Sequence, residues 1–283
     1  MIASVALPAD LGIFAISLLA GLVGALAGIG GGVFVVPALT LLFGVDIRLA
    51  IGASIVSVIA TSSGSAAAYV RDQMTDLHVG MFLELATVTG AIAGALLTTI
   101  VAPGLLYVLL GVVLLGSAAL QVIRLADVPD PGRRPEPLAV RLRLVGSYPD
   151  RNLGRTVSYA ARRIPLGFAL MGVAGLVSGL LGIGSGALKV LAMDAAMGLP
   201  IKVSSATSNF MIGVTAAASA GIYLSRGDVD PRIAAPVALG VLGGAVLGAR
   251  ILPHLSSSMV RKIFVPILVL IGLQTLARGV GLA

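Results

Sequence analysis

The chain has 283 residues, 58% of them hydrophobic and 11% charged, with a mean hydropathy of +1.07. A soluble domain carries about 25% charged residues, so this balance belongs to an integral membrane protein. The long apolar segments suit helices rather than the roughly ten-residue alternating strands of a membrane barrel. The chain holds no cysteine, which excludes disulfide and thiolate chemistry, and only two histidines, His78 and His254, which lie far apart and do not suggest a metal site.

The net charge of +7 is concentrated: nine of nineteen Lys and Arg fall between Arg124 and Arg163, beside four acids. A basic segment between apolar runs reads as cytoplasmic placement rather than a nucleic-acid surface. No nucleic-acid partner is expected. Ala25-Leu26-Ala27 imitates a processing site, but no basic stretch precedes it, so the first run is read as a retained segment.

The first apolar run, 11–43, is interrupted by Gly28-Ile29-Gly30-Gly31-Gly32. As one helix it would reach about 50 Å, too long for a hydrocarbon core of about 30 Å. Glycines cost about 1 kcal/mol each in a helix interior, so two shorter helices should meet at a break. The next segment, 47–70, carries Ser54, Ser57 and Thr61 at i, i+3 and i+7, one helical face, followed by Ser62 and Ser63. Segment 79–101 holds Glu84 four residues inside its apolar stretch, where reaching back to an interface is the simpler expectation. Segment 104–125 closes the first half.

Between the halves, 126–164 is polar, basic and punctuated by Pro129, Pro131, Pro135, Pro137 and Pro149. It cannot span. Leu138 to Val145 alternates loosely, and a short strand or hairpin and a disordered linker both remain open.

The second half opens on run 165–198, interrupted by Gly182-Ile183-Gly184-Ser185-Gly186, with Lys189 and Asp194 beyond the break. Segment 201–225 follows with Ser204, Ser205, Thr207, Ser208, Asn209 and Thr215, then segments 232–252 and 259–280. A constant offset of 154 residues aligns the halves without a gap. It pairs Gly28, Gly30 and Gly32 with Gly182, Gly184 and Gly186, Ser54 with Ser208, Thr61 with Thr215, Tyr69 with Tyr223, and Gly90 with Gly244. The expected fold is therefore an all-α polytopic membrane protein of two pseudo-symmetric four-segment repeats, 1–125 and 165–283, each opening with a glycine-broken helix. The break is compatible with a re-entrant hairpin. If both runs cross fully, the halves are parallel; if each is a hairpin leaving on the side it entered, the halves are inverted. Val33 to Phe43 would be only about 16 Å as helix, which favours the hairpin.

Freed backbone groups at a break inside a membrane must meet protein, water or a ligand, and half-helix N-termini there hold anionic groups. The expected substrate-binding residues are Gly28, Gly30, Gly31 and Gly32 with Ser54 and Ser57, and Gly182, Gly184, Ser185 and Gly186 with Lys189, Thr207, Ser208 and Asn209. Lys189 stands where the first half has Val35. A charge at bilayer depth costs about 3 kcal/mol or more, which makes it a functional candidate, with reaching back to an interface as the equal alternative. Lys189 and Asp194, five apart, lie on different helical faces and should not pair. No nucleophile–base pair is apparent, and the glycine pentapeptides lack the Gly-Lys-Ser/Thr ending of a phosphate loop.

Gly28-Ile29-Gly30-Gly31-Gly32-Val33-Phe34-Val35-Val36-Pro37, its duplicate from Gly182 to Lys189, and Ser204-Ser205-Ala206-Thr207-Ser208-Asn209-Phe210 resemble the TauE/SafE type of sulfite exporter and related anion permeases. Ser185 and Leu191 replace Gly31 and Pro37 in the second copy, so the two halves depart from equal roles. The resemblance implies a duplicated permease in the plasma or bacterial inner membrane. It would move a small sulfur-containing or organic anion, with no hydrolysed nucleotide, no cofactor and no enzymatic activity. Homo-oligomerisation is left open. The alternative is a non-transporting membrane scaffold or assembly protein in which glycines and hydroxyls serve packing alone.

Overall fold

The computed structural model describes residues 3–27, 31–71, 75–122, 136–150, 155–251 and 257–282. Gly28 and Gly30 lie outside the described residues. The chain is mostly helical. In the first half α1 runs Ala3–Ala27, α2 Gly32–Leu42, α3 Ile47–Arg71, α4 Leu77–Leu97 and α5 Pro103–Val122. In the second, α7 runs Ile164–Leu181, α8 Gly186–Leu191, a π-helical turn Ala192–Ala196, α9 Ile201–Ser225, α10 Pro231–Ile251 and α11 Ser257–Gly279. Among the described residues, Leu77–Leu97, Ile164–Leu181 and Pro231–Gly248 are long and apolar enough to cross a membrane. Leu19, Met81, Leu85, Leu239 and Leu270 are exposed on outward helix faces, a surface that water disfavours and lipid does not.

Glycines set how closely and in which direction these helices run. α2 folds back along α1: the ring of Phe43 lies against Gly12, and a Cβ on Gly31 would stand 3.5 Å from the Cα of Gly21. The second half repeats the return, with Met197 against Gly167 near the start of α7. α1 packs on α10, and α4 on α7. Gly244 meets the backbone of Leu18 and Leu22, while Gly90 meets that of Gly172 and Leu176. No Cβ fits at either position, so backbones approach closely and van der Waals contact replaces the missing hydrophobic drive. α3 packs against α9 with Gly213 beside Ser62 and Gly52 beside the Asp228 carbonyl, an antiparallel pair. α5 and α11 are also antiparallel, Gly104 near Gly279 and Gly111 near Gly272.

The linker carries ordered structure: α6 at Pro137–Arg141, then β1 Val145–Asp150 paired antiparallel with β2 Arg155–Ala160. The expected strand over Leu138 to Val145 is not what forms there: that stretch is α6 and a turn, reaching β1 only at Val145, and the hairpin of β1 and β2 follows it. It is held because Ala139, Leu144 and Ala161 join Val79, Leu83, Ile164, Met193 and Met197 in one apolar cluster. Arg162 N donates to Met197 O at 2.9 Å, and Tyr159 Oη donates to Asp76 Oδ2 at 2.8 Å. Burial and the adjacent Asp76 carboxylate hold the Tyr159 phenol well above its ordinary value, so it keeps the proton it donates. Asp76 in turn caps α4 by accepting from Val79 N at 3.0 Å.

Candidate functional site

Gly32, which opens α2, and Gly182, which closes α7, bring the two halves into contact. Gly182 ends α7 with φ +65° and Gly184 follows at φ +75°, a left-handed conformation that side chains disfavour. A Cβ on Gly32, the first residue of α2, would stand 3.2 Å from Gly182 O and 2.8 Å from Ser54 Oγ. Ser54, wholly buried on α3, donates to Gly182 O at 2.8 Å and lies 3.3 Å from Gly32 O. Its counterpart Ser208 donates to Gly186 O at 3.2 Å, reproducing the Ser54–Gly32 contact in the second half. Gly31 is the N-cap of α2 with ordinary helical angles, whereas Ser185 caps α8 in the left-handed region at φ +48°. The Ser185 hydroxyl is buried and has no hydrogen-bond partner.

Other expected site residues point elsewhere. Ser57 Oγ donates within its own helix to Ser54 O at 2.7 Å, and Asn209 Nδ2 likewise to Ser205 O at 3.0 Å. Thr207 Oγ1 accepts from Asp76 N at 3.0 Å and so braces the start of α4 rather than the breaks. The sequence pattern gathered Thr207 and Asn209 because they adjoin Ser208, and Ser57 because it shares a helical face with Ser54. α9, however, presents successive residues to different partners about 100° apart.

Lys189 is fully buried, 0% exposed. Its Nζ donates to Thr215 Oγ1 on α9 at 2.6 Å, and Thr215 Oγ1 donates to Glu84 Oε1 on α4, also at 2.6 Å. Glu84 is only 8% exposed and its Oε2 makes no hydrogen bond of full geometry. This corrects the expectation that Glu84 reaches back to an interface. α7 and α9 close over it, and a partner charge on α8 makes its burial tolerable. The 154-residue offset holds the signal that could have found it. Glu84 and Lys189 each stand where the other half has an apolar residue, Ala238 and Val35, and their charges are opposite. Among the described residues, no group of three or more His, Cys, Asp or Glu could hold a metal ion.

This set of groups suits a small anion: a buried ammonium, an unpartnered buried hydroxyl, and backbone opened by glycine. The sulfite exporter TauE/SafE family profile matches residues 13–275, spanning both breaks, Glu84, Lys189 and Thr215. This chain belongs to the TauE/SafE family. It is 29% identical over 272 residues to the probable membrane transporter protein YunE of Bacillus subtilis (strain 168), an alignment covering 94% of this chain and 96% of that one. A second relative, the probable membrane transporter protein YdhB of the same organism, is 29% identical over 239 residues, covering 84% and 88%. No solved structure matches the chain significantly. The family match runs from the first half across the linker into the second, residues 13–275.

Proposed function

We propose that this chain is a secondary transporter for a small anion, sulfur-containing such as sulfite or an organosulfonate, built from two inverted repeats, 1–125 and 165–283. The contact of Gly32 with Gly182, bridged by Ser54, carries this reading. Two helix interruptions from opposite halves meeting in the protein interior are how a permease assembles one site from two repeats. The reciprocal packing supports the inverted arrangement: contacts of Gly90 with Gly172 and Leu176 recur at the 154-residue offset as those of Gly244 with Leu18 and Leu22. Equivalent helices, α3 with α9 and α5 with α11, run antiparallel, as a twofold axis lying in the membrane plane requires.

In this reading the returns of α2 and α8 are re-entrant, and the linker side of the membrane is cytoplasmic. Gly31, Gly32, Gly182, Gly184, Ser185, Gly186 and Lys189 then surround the anion, and Ser54 and Ser208 hold the two breaks in register. The bound anion exchanges hydration for backbone donors, the Ser185 hydroxyl and the Lys189 ammonium. The test is exchange of labelled sulfite and labelled methanesulfonate by purified protein in liposomes. Saturable exchange of at least one, inhibited by the other and weakened by Lys189→Met, is expected. Liposomes that exchange neither anion better than empty ones would leave a packing or assembly role instead.

A further inference from the structure

Lys189 is enclosed on every side, and a fully buried ammonium needs one compensating negative charge. Two candidates can supply it: the Glu84 carboxylate, reached through Thr215, or the transported anion. We propose that Glu84 is the proton-binding residue of the transporter, competing with the anion for Lys189, so that one proton and one anion are carried together. The inference rests on the transport reading above and adds its energy source.

Three observations carry it. First, a single hydroxyl joins the two charged groups: Thr215 Oγ1 accepts from Lys189 Nζ and faces Glu84 Oε1, each at 2.6 Å. Second, Glu84 Oε2 is buried and makes no hydrogen bond of full geometry, with the Thr87 hydroxyl of the same helix beside the carboxyl, so a proton can be added there without breaking the Oε1 bond. Third, Lys189 lies one helical turn beyond Ser185, whose carbonyl accepts from Lys189 N at 3.0 Å and whose hydroxyl is unpartnered. The group suited to the proton thus shares Thr215 with the ammonium, and the unpartnered Ser185 hydroxyl lies one turn back along the same short helix.

Among the described residues, Glu84 is the charge acting on Lys189. α7, packed along α4, carries no titratable side chain between Ile164 and Leu181. On α9 the group facing Glu84 is Thr215, while Tyr223 is engaged far along the helix with Gly179 O and Thr98. The charge acting on Glu84 is that of Lys189, and the charge acting on Lys189 is that of Glu84. On the π-helical turn after α8, Asp194 is half-exposed and five residues from Lys189, off its face.

Coupling follows from charge balance. With Glu84 ionised, the Glu84–Lys189 pair is neutral and an added anion would be uncompensated. A proton on Glu84 Oε2 leaves Lys189 without its counter-charge, and the anion restores neutrality. The two favoured states are therefore empty with Glu84 ionised, and loaded with Glu84 protonated. By linkage each ligand raises the other's affinity by the same factor.

The experiment uses the full chain and methanesulfonate, the anion of a strong acid, which carries no proton of its own. Wild-type protein in detergent should take up one proton per anion bound, read with an indicator dye in weakly buffered solution. In liposomes an acidic exterior should drive methanesulfonate above its external concentration, an accumulation abolished by nigericin. Glu84→Gln should still exchange anion for anion, at a reduced rate, but without accumulation and with its pH dependence flattened; Glu84→Asp should recover part of the accumulation. Anion binding without proton uptake by the wild-type protein overturns the proposal, whether or not the Gln variant folds. So does pH-driven accumulation that persists in Glu84→Gln. Sulfite is run in parallel: exchange without coupling of either anion removes the coupling alone, whereas no exchange of either removes the transport reading itself.

Discussion

Ser54 of the first half donates a hydrogen bond to the carbonyl of Gly182 in the second, at 2.8 Å, beside the close approach of Gly32 to Gly182. Both groups are buried, so the bond has no water to replace it. Ser54→Ala leaves the Gly182 carbonyl short of a partner and should cost about 1–3 kcal/mol. Thermal unfolding in detergent should show the loss, with anion exchange weakened modestly. An unchanged melting temperature together with unchanged exchange would mean the bridge is dispensable.

Bulk at the breaks should be tolerated far less. A Cβ at Gly184 would stand 2.9 Å from Ile212 Cγ2, on a backbone at φ +75° that a β-branched residue avoids. At Gly32 it would press on Val58 and on Ser54 Oγ. Gly184→Val and Gly32→Val should each abolish exchange, while surface-accessible protein still reaches the membrane. Wild-type rates in either variant would separate the interruptions from the transport path.

Lys189 and Glu84 should behave as a unit. Lys189→Met leaves Glu84 buried and uncompensated, and breaking such a pair costs about 3–5 kcal/mol. The double variant Lys189→Met/Glu84→Gln removes both charges and should recover most of that stability without recovering transport. Lys189→Arg should keep partial function. A double-mutant cycle in detergent measures the coupling directly, and additive effects would mean the two groups are independent.

Orientation is testable with single cysteines, since the chain has none of its own. Arg141→Cys on the linker helix α6 and Arg232→Cys at the start of α10 are both exposed positions. An impermeant thiol reagent added to intact cells should label Arg232→Cys and spare Arg141→Cys, because basic residues concentrate on the linker side. On the opposite side, Arg48, Arg226 and Arg278 are tied to the carbonyls of Thr99, Ala95 and Thr40, where they cap helix ends. The reverse labelling pattern would invert the protein in the membrane.

The packing glycines offer a test of the duplication. Gly90→Ala pushes a methyl group into Gly172 O, and Gly244→Ala pushes one into Leu18 O. The two variants should lose similar stability, because they strain equivalent crossings. A large loss in one and none in the other would argue against matched repeats.

The sequence alone determined the membrane class, the helical character and the end of α7 at Gly182. Each follows from local chemistry: apolar length and glycine's poor helix propensity. Family membership was legible in the same stretches, since they carry its motifs. Neighbours in sequence do not all meet the same partners. Thr207 and Asn209 sit beside Ser208, yet a helix turns them onto α4 and back onto α9 itself. Only the tertiary structure decided that Glu84 is buried rather than drawn out to an interface. That outcome depends on α7 and α9 closing over α4 and on an ammonium arriving from α8, 105 residues further along the chain. A buried charge is tolerated only with its partner in place, and the partner is supplied by packing rather than by the segment that carries the charge.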